Sequence, residues 1–397
     1  MTYRYSILKR NCELVIMFPF VILGKLAGKL FPLKTTHDIF LFFPWADIGG
    51  SIKVNSAIAK CIKHKKPLII FSKKPNNNQF RHLFDIEGVR VIDLHKYIDH
   101  KLIHFVNFFF RGVLSSWINK SASPVAFGGE SIFFYKIIPH VRKETKIIEL
   151  CHLNTWFNFS KAYIEYMDTR IFSTQKLKRD IEKLYHEDKI PQVYFEKLFF
   201  VDNKVDIPPY QEVSNSILQV LFAGRGAPQK RVHLIAAMAK RMHETGIPVH
   251  FSFVGDVENI LPPSVIAYCT LYGNVNDDQT LHQIYRQSDV LLLTSEYEGL
   301  PLAVMEMMAC GKIIVSTAVD GIPDYITHRE NGLLITETDE SKIIESGIAL
   351  LSELAAFPAL RKKIGKESYQ YALNHFSGNQ FCTFYNRVLT VIKEQVS

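Results

Sequence analysis

Short apolar runs alternate with helix-length segments of mixed polarity through the first half of the chain. The runs are four to eight residues long, the length of strands that are buried on both faces. Because the segments between them can hold a helical crossover, the alternation predicts a parallel sheet of the α/β class. The predicted strands are Asp38–Trp45, Pro67–Ser72, Val89–Asp93, Pro124–Phe127, Lys146–Leu150, Thr169–Ser173 and Lys197–Val201.

A second alternation of the same kind follows a linker at Asp206–Asn215. Pro208 and Pro209 lie in this linker, and adjacent prolines cannot continue the interior of a helix or sheet. The strands predicted after the linker are Ile217–Ala223, Val249–Val254, Thr270–Tyr272, Asp289–Thr294, Lys312–Ser316 and Gly332–Ile335.

The two alternations predict two doubly wound, Rossmann-like domains. We place the first domain at residues 38–206 and the second at residues 207–376. Residues 339–395 have largely helical periodicity, so a helical C-terminal tail closes the chain. Within it, we expect residues 377–397 to form a helix that crosses back to the first domain.

Residues 1–37 precede the first predicted strand and combine apolar with cationic side chains. The apolar run Leu14–Leu23 is about half the length needed to span a bilayer, and no cleavage site of a signal peptide follows it. We expect this extension to dock on an anionic membrane surface, with the aromatic segment His104–Trp117 on the same face. The alternative, that both stretches pack within the first domain, stays open. The nearby cations are Arg4, Lys9, Arg10, Lys25, Lys29 and Lys34.

The charge and the cysteines narrow the classes of function. The formal net charge is +8, and residues 1–110 contain 17 Lys and Arg against 7 Asp and Glu, which indicates an anionic partner. No helix-turn-helix, zinc-finger or RNA-recognition signature is present, so a membrane surface or a phosphate-bearing substrate is favoured over nucleic acid. The six cysteines are scattered without a Cys-x-x-Cys pair, which predicts reduced, buried thiols in the cytosol and no zinc site.

A candidate site lies where the strand at Leu291–Thr294 ends. Ligands of parallel sheets bind beyond the carboxyl ends of the strands, and Pro301 is expected at the first position of the next helix. The backbone amides of Gly299 and Leu300 can then hold a diphosphate or a sugar hydroxyl. Two acids frame this helix start, Glu298 and Glu306. A carboxylate accepts hydrogen bonds from adjacent hydroxyls, so they can hold a ribose and a donor sugar.

A glycine-containing loop follows the strand that starts at Ile217. It runs from Gly224 to Lys230 and opens the next helix, which resembles the start of a dinucleotide fingerprint. Gln229 replaces the third glycine of that fingerprint, and Asp256 arrives about 30 residues later instead of about 20. A nicotinamide enzyme is therefore disfavoured.

The chain resembles the retaining glycosyltransferases of family 4, which have the two-domain GT-B fold with a cleft between the domains. The resemblance is carried by Glu298-Gly-Leu-Pro-Leu-Ala-Val-Met-Glu306, by Val319–Asp324 and by Asn331–Leu334. It implies that Arg225 and Lys230 bind the donor diphosphate and stabilise the charge that grows on it as the glycosidic bond breaks, without a metal.

The resemblance covers the first domain less closely. Gly49 and Gly50 resemble the family's glycine loop, and His152 matches an active-site histidine of some members. Ordinary structural roles for these residues stay open. Gly128-Gly129-Glu130 ends a strand on the acceptor side, and Lys204 replaces a glycine of the segment that joins the domains.

The resemblance implies a metal-independent hexosyltransferase that uses a UDP-sugar or a GDP-sugar and no cofactor. The acceptor would be a glycan or a lipid-linked sugar of cell-surface polysaccharide or lipopolysaccharide synthesis, on the inner face of the cytoplasmic membrane. A nucleotide-sugar epimerase of the same fold and a non-catalytic sugar-nucleotide-binding partner remain the alternatives. The expected catalytic residues are Arg225, Lys230, Glu298 and His152. The expected donor-binding residues are Gly49, Gly50, Gly224, Arg225, Lys230, Tyr272, Glu298, Gly299, Leu300 and Glu306.

Overall fold

The computed structural model describes residues 2–99, 104–212 and 215–390. The chain divides into two compact units. The first unit comprises Met1–Val201 and Asn379–Ser397, and the second comprises Asp202–Gly378. Of the sequence predictions, parts of the linker at Asp206–Asn215 and of the tail after residue 390 lie outside the described residues.

The first unit is built on a parallel sheet of seven strands in the order β3-β2-β1-β4-β5-β6-β7. All five residues of β1 are buried, because helices cover both faces of the sheet, and this explains the continuous apolar runs in the sequence. The strands are β1 Ile39–Phe43, β2 Leu68–Phe71, β3 Arg90–Asp93, β4 Val125–Gly128, β5 Lys146–Cys151, β6 Thr169–Phe172 and β7 Leu198–Phe200.

The second unit has a parallel sheet of six strands in the order β10-β9-β8-β11-β12-β13. The strand order reverses between β8 and β11, so the loops after these two strands diverge to opposite faces and leave a crevice, as in other doubly wound sheets. The strands are β8 Leu218–Ala223, β9 Val249–Val254, β10 Thr270–Gly273, β11 Val290–Leu293, β12 Ile313–Thr317 and β13 Leu333–Ile335. The prediction of two doubly wound sheets is therefore confirmed.

Helices connect the strands in both units. Those of the first unit are α1 Tyr3–Leu30, α2 Gly50–Cys61, α3 His95–Ile98, α4 His104–Lys120, α5 Ile132–Ile137, α6 Phe157–Ser160 and α7 Gln175–Glu187. Those of the second are α8 Val232–Glu244, α9 Pro263–Ile266, α10 Asp278–Gln287, α11 Leu302–Ala309, α12 Glu340–Ala356 and α13 Pro358–His375, and α14 follows at Gly378–Val388.

Residues 1–37 contain one long helix, α1, which packs against α4 in the first unit. Pro19 lies inside this helix. Among the described residues, no single helix has both the length and the apolar character needed to cross a membrane. One bent pair, Glu340–Ala356 with Pro358–Val388, meets these two criteria by length and composition alone.

The prediction of reduced, buried thiols is wrong for Cys61, Cys382 and Cys12. Cys61 at the end of α2 and Cys382 in α14 form a disulfide, with their Cα atoms 5.2 Å apart. Nothing in the sequence indicates this pairing, because 321 residues separate the two cysteines. Cys12 is also exposed instead of buried. Cysteine usage therefore gives no argument for a reducing compartment.

Candidate active site

Three strands of the second unit end side by side at the carboxyl edge of the sheet. Gly255, after β9, has φ +123°, and a Cβ atom on it would overlap the carbonyl oxygen of Gly224 after β8. The amide of Gly255 also donates to the carbonyl of Gly273, at the end of β10, over 2.8 Å. Tyr272 lies beside this point with 41% of its surface exposed. The backbones of these strand ends thus pack closely against one another, while the side chain of Tyr272 is accessible to solvent.

The loop after β8 is held by the loop after β9. The amide of Gly226 donates to the Asp256 carboxylate over 2.9 Å, and a Cβ atom on Gly226 would overlap the Asp256 carbonyl oxygen. Asp256 therefore fixes the loop, which is a different task from binding the ribose of a dinucleotide. Between the two glycines, Arg225 is exposed and makes no hydrogen bond or ion pair with any described residue.

Lys230 and Glu298 form an ion pair at this edge, although 68 residues separate them. Both side chains are about nine-tenths buried. The carboxylate of Glu298 also accepts a hydrogen bond from the hydroxyl of Ser295 over 2.8 Å. Two donors thus fix the orientation of Glu298. Gly224 lies nearby, since a Cβ atom on it would be 3.8 Å from Cε of Lys230.

Arg231 connects the loops after β8 and β11. It is a non-glycine residue with φ 45°, an uncommon backbone conformation for a bulky residue. Its guanidinium donates to the carbonyls of Thr294 and Ser295 over 2.7 and 2.9 Å. In return, the Thr294 hydroxyl donates to the carbonyl of Lys230 over 3.1 Å. These bonds fix the spacing between Lys230 and Glu298.

The loop before α11 is also anchored from the β12 side. The amide of Glu298 donates to the carboxylate of Asp320 over 2.9 Å, and the amide of Gly321 donates to the carbonyl of Glu298 over 3.3 Å. Asp320 itself has φ 44°. These two hydrogen bonds fix the position of Glu298 and therefore the direction of the backbone amides that follow it at the start of α11.

Helix α11 begins at Leu302, and Pro301 is its N-cap. The helix therefore starts one residue later than predicted, since the sequence predicts Pro301 as its first residue. No side chain caps the helix. Within the described chain, the amides of Gly299, Leu300, Leu302 and Ala303 donate no hydrogen bond. Unpaired amides at a helix N-terminus carry a partial positive charge and bind anions. Gly299 is exposed and Leu300 is buried.

Glu306 lies in α11 and is buried at 8% exposure. The hydroxyl of Tyr285 in α10 donates to it; burial and the negative charge of Glu306 hold the pKa of Tyr285 well above its usual value. This bond supplies the partner that a buried carboxylate requires. A carboxylate has about four acceptor positions, so Glu306 keeps capacity for a ligand hydroxyl.

In the first unit, the glycine loop follows β1. Gly49 caps α2, which begins at Gly50, and a Cβ atom on Gly49 would have no neighbour within 4 Å. Asp47 fixes this loop through hydrogen bonds from the amides of Asn76, Asn77 and Asn78. Although burial opposes ionisation, these bonds lower the pKa of Asp47.

His152 follows β5 in the first unit. Its Nε2 atom is buried and has no hydrogen-bond partner among the described residues. Burial lowers the pKa of His152 to about 4, so the imidazole is neutral at neutral pH. Its amide donates to the carboxylate of Glu130 over 3.0 Å. Burial raises the pKa of Glu130 to about 7, although the amides of His152 and Leu153 donate to it.

The structure therefore places some of the predicted site residues close together and others in a different unit. In the second unit, Lys230 and Glu298 form an ion pair, Gly224 lies next to Lys230, and Gly299 directly follows Glu298. The sequence prediction missed Ser295, Arg231, Asp320 and Tyr285, which orient the predicted residues. Only Ser295 had a local signal, the Ser-x-x-Glu spacing to Glu298. Gly49, Gly50 and His152 lie in the first unit. Across the described ranges, no group of three or more His, Cys, Asp or Glu side chains is placed to hold a metal ion.

The second unit, which contains the Lys230–Glu298 pair, also contains the residues that match a known protein family. Residues 218–353 match the family model described as glycosyl transferases group 1. The chain is 27% identical over 192 residues to an uncharacterized glycosyltransferase of Methanocaldococcus jannaschii, covering 43% of this chain and 49% of that protein. It is 23% identical over 245 residues to N-acetyl-alpha-D-glucosaminyl L-malate synthase of Bacillus anthracis, covering 58% of this chain and 61% of that protein. The match thus spans about half the length of these curated relatives.

The fold is also found among solved structures. Anabaena HepE, in a crystal structure with UDP, aligns with a TM-score of 0.69 and 13% identity over 89% of this chain and 99% of that one. The two doubly wound sheets are those of the GT-B fold. Within that fold, residues 218–353 of this chain are similar to the glycosyl transferases group 1.

Proposed function

We propose that this chain is a retaining glycosyltransferase that moves a sugar from a nucleoside diphosphate sugar to a glycan or a lipid-linked acceptor. One observation carries the proposal. The Lys230–Glu298 pair lies beside exposed Arg225 and unpaired amides, at the carboxyl ends of β8 and β11, within the stretch that matches the group 1 family. Cations and a carboxylate at one strand edge suit a ligand that carries both phosphates and hydroxyls.

The donor diphosphate would bind to Arg225, Lys230 and the amides at the start of α11. Negative charge grows on this diphosphate as the glycosidic bond breaks, and fixed cations stabilise that charge. These two cations would do so without a metal. Glu298 is oriented by Lys230 and Ser295, and it would accept a hydrogen bond from a donor-sugar hydroxyl.

The ribose hydroxyls of the donor would bind to Glu306, which Tyr285 holds in place. Uracil is the favoured base, because UDP is bound to HepE, a protein of the same fold. Guanine is the second choice. Tyr272 is half-exposed at the end of β10 and offers an aromatic face to the base.

Retention would follow from attack on the same face that the leaving group departs from. The bond between the anomeric carbon and the phosphate oxygen breaks as the acceptor oxygen bonds to that carbon, and the acceptor proton passes to the departing phosphate. His152 is neutral, so it would orient a sugar hydroxyl by a hydrogen bond from its ring and would not supply a positive charge.

The location we propose is the inner face of the cytoplasmic membrane, with the protein attached peripherally. A nucleotide-sugar donor and a lipid-linked or cell-surface acceptor would meet at that surface. The cysteines do not support this location, because Cys61 and Cys382 are paired.

Donor screening by nucleotide release tests the proposal. Purified protein is incubated with UDP-sugars and GDP-sugars, with and without a polyprenyl-diphosphate-linked sugar or a soluble oligosaccharide, and the product anomer is read by NMR. We expect acceptor-dependent release of one nucleoside diphosphate and a product with the donor's anomeric configuration. An isomerised nucleotide sugar formed without acceptor would indicate an epimerase. Donor binding without any release would indicate a non-catalytic partner.

A further inference from the structure

Helix α1 has an apolar face that no described part of the protein covers. Among the described residues, 22 large hydrophobic side chains are exposed, and eleven of them lie between Tyr5 and Phe31. Val15, Ile16 and Leu30 are each more than 70% exposed. Single exposed apolar side chains are ordinary, but a cluster of exposed apolar side chains on one helix marks an interaction site. We name this surface the α1 face; its members are Val15, Ile16, Phe18, Leu23, Leu26, Leu30 and Phe31.

The opposite side of α1 is fixed to the first unit, so the helix cannot rotate to bury the α1 face. A Cβ atom on Gly24 would overlap the carbonyl oxygen of Phe109 in α4, and one on Gly112 would overlap that of Val21. The glycines therefore let the two backbones pack closely. This contact is supplemented by polar anchors nearer the start of the helix.

Those anchors are ion pairs in which the side chain of the cation is largely buried. Arg10 is 4% exposed, donates to the carbonyl of Ala162 over 2.5 Å and pairs with Glu165 over 2.7 Å. Glu13 pairs with Arg111 over 3.1 Å and with Lys136. Removing one partner of such pairs is costly, which favours one orientation of the helix.

The charges around the α1 face identify its partner. Glu13 is the single acidic residue in the α1 sequence, and Arg111 and Lys136 neutralise it. Within residues 3–34, every exposed charged side chain is cationic: Arg4, Lys9, Lys29 and Lys34. A second copy of the chain would bring these cations against one another. An anionic lipid surface instead accepts apolar side chains at the headgroup boundary and attracts the cations around them.

We propose that the α1 face docks this protein on an anionic lipid bilayer, with α1 lying in the plane of the interface. The stretch from Val15 to Leu30 is about 23 Å long at 1.5 Å per residue, enough for several side chains to enter the headgroup region together. Phe105 in α4 is 53% exposed and lies with its ring 6.1 Å from that of Phe20, which widens the docking surface. The proposal adds a defined surface to the proposed location and does not depend on the sugar transferred.

Vesicle flotation of the full chain tests the proposal. The test variant is Ile16→Glu/Leu23→Glu/Leu30→Glu. The matched control is Val193→Glu/Phe357→Glu/Leu373→Glu, which adds the same charge at other exposed apolar positions. We expect the wild type and the control to float with phosphatidylcholine vesicles containing phosphatidylglycerol, and the test variant to float at least about tenfold less. We expect all three proteins to bind pure phosphatidylcholine vesicles more weakly, because the cations then have no anionic lipid to contact.

The proposal is overturned if the wild type does not float, or if the test variant floats as well as the control. It is also overturned if light scattering shows a wild-type dimer that the test variant disperses while neither protein binds vesicles. If the triple variant does not fold, Leu30→Ser/Phe31→Ser at the end of α1 replaces it, with an expected partial loss of flotation. Because no donor or acceptor is present, a negative result leaves the proposed sugar transfer untouched.

Discussion

The candidate residues of the two units are organised differently. In the second unit, Lys230, Glu298 and Ser295 form one hydrogen-bonded network, and Arg231 and Asp320 fix the loops that carry it. In the first unit, Gly49 follows β1 and His152 follows β5, and β4 lies between these strands in the sheet. Each is held by a separate acid, Asp47 for the glycine loop and Glu130 for His152.

This difference matches what each unit would have to recognise. A nucleoside diphosphate presents the same phosphates and ribose to every enzyme that uses it, so its site can be a short, rigid constellation. Acceptors vary in shape, and the loops that bind them vary too. The first unit also carries the α1 face, and the described part of the second unit has no comparable run of exposed apolar side chains. This comparison supports our proposal that the donor binds to the second unit and the acceptor to the first.

The largest expected effect comes from removing a cation of the second unit. Arg225→Ala and Lys230→Ala should each lower turnover by about 100- to 1000-fold, the range seen when one charge-stabilising group is lost. Lys230→Ala should also lower the melting temperature, because it leaves the Glu298 carboxylate without its cation. Arg225→Ala should not, because Arg225 is exposed. The control is Lys240→Ala, an exposed lysine on α8. Near-normal turnover in both variants would contradict the diphosphate assignment.

The next effect concerns the pH dependence of stability in the first unit. The pKa of His152 falls from 6.5 to about 4 on folding, so the unfolded chain binds more protons between these pH values. The contribution of His152 to stability is present above pH 6.5 and is lost as the pH falls toward 4. Relative to His152→Asn, the wild type should gain on the order of 2 kcal/mol of unfolding free energy between pH 4 and pH 6.5.

Chemical denaturation of both proteins at several pH values measures this gain. Parallel pH profiles for the wild type and His152→Asn would show that His152 is solvated and titrates normally. In that case the imidazole would be protonated in mild acid, and its proposed role as a neutral group would fail.

A smaller effect tests the anchoring of the loop before α11. Asp320→Ala removes the acceptor for the Glu298 amide and should lower kcat/KM by about tenfold, the equivalent of one hydrogen bond to a charged group. Asp320→Asn should retain most of the activity, because asparagine tolerates the positive φ of this position and keeps a carbonyl acceptor. Steady-state kinetics of the two variants measure this difference. An equal loss of kcat/KM in both variants would show that the loop requires the negative charge of Asp320.

The fold could be predicted from the sequence because strands such as β1 and β11 are buried along their whole length and stand out as apolar runs. Glu298, Glu306 and Lys230 could be predicted because they lie in short motifs. The groups that orient them could not. Asp320 is 22 residues from Glu298, and its bond depends on how two loops pack. The disulfide and the fixed orientation of α1 likewise depend on contacts between distant parts of the chain.

The smallest expected effect is that of a chelator. Excess EDTA should change turnover by less than about twofold, because Arg225, Lys230 and the helix amides meet the diphosphate charge. The assay is nucleotide release before and after dialysis against EDTA. Loss of turnover that a divalent ion restores would show that the donor site includes a metal.

Calorimetric titration measures whether the second unit binds the diphosphate of the donor, as we propose. UDP and uridine, or the guanine pair if the donor screen selects it, are titrated into the wild type, Arg225→Ala and the Lys240→Ala control. We expect Arg225→Ala to weaken binding of the diphosphate by at least about tenfold and to leave binding of the nucleoside unchanged. Equal affinities of Arg225→Ala and wild type for the diphosphate, or equal losses for diphosphate and nucleoside, would contradict it.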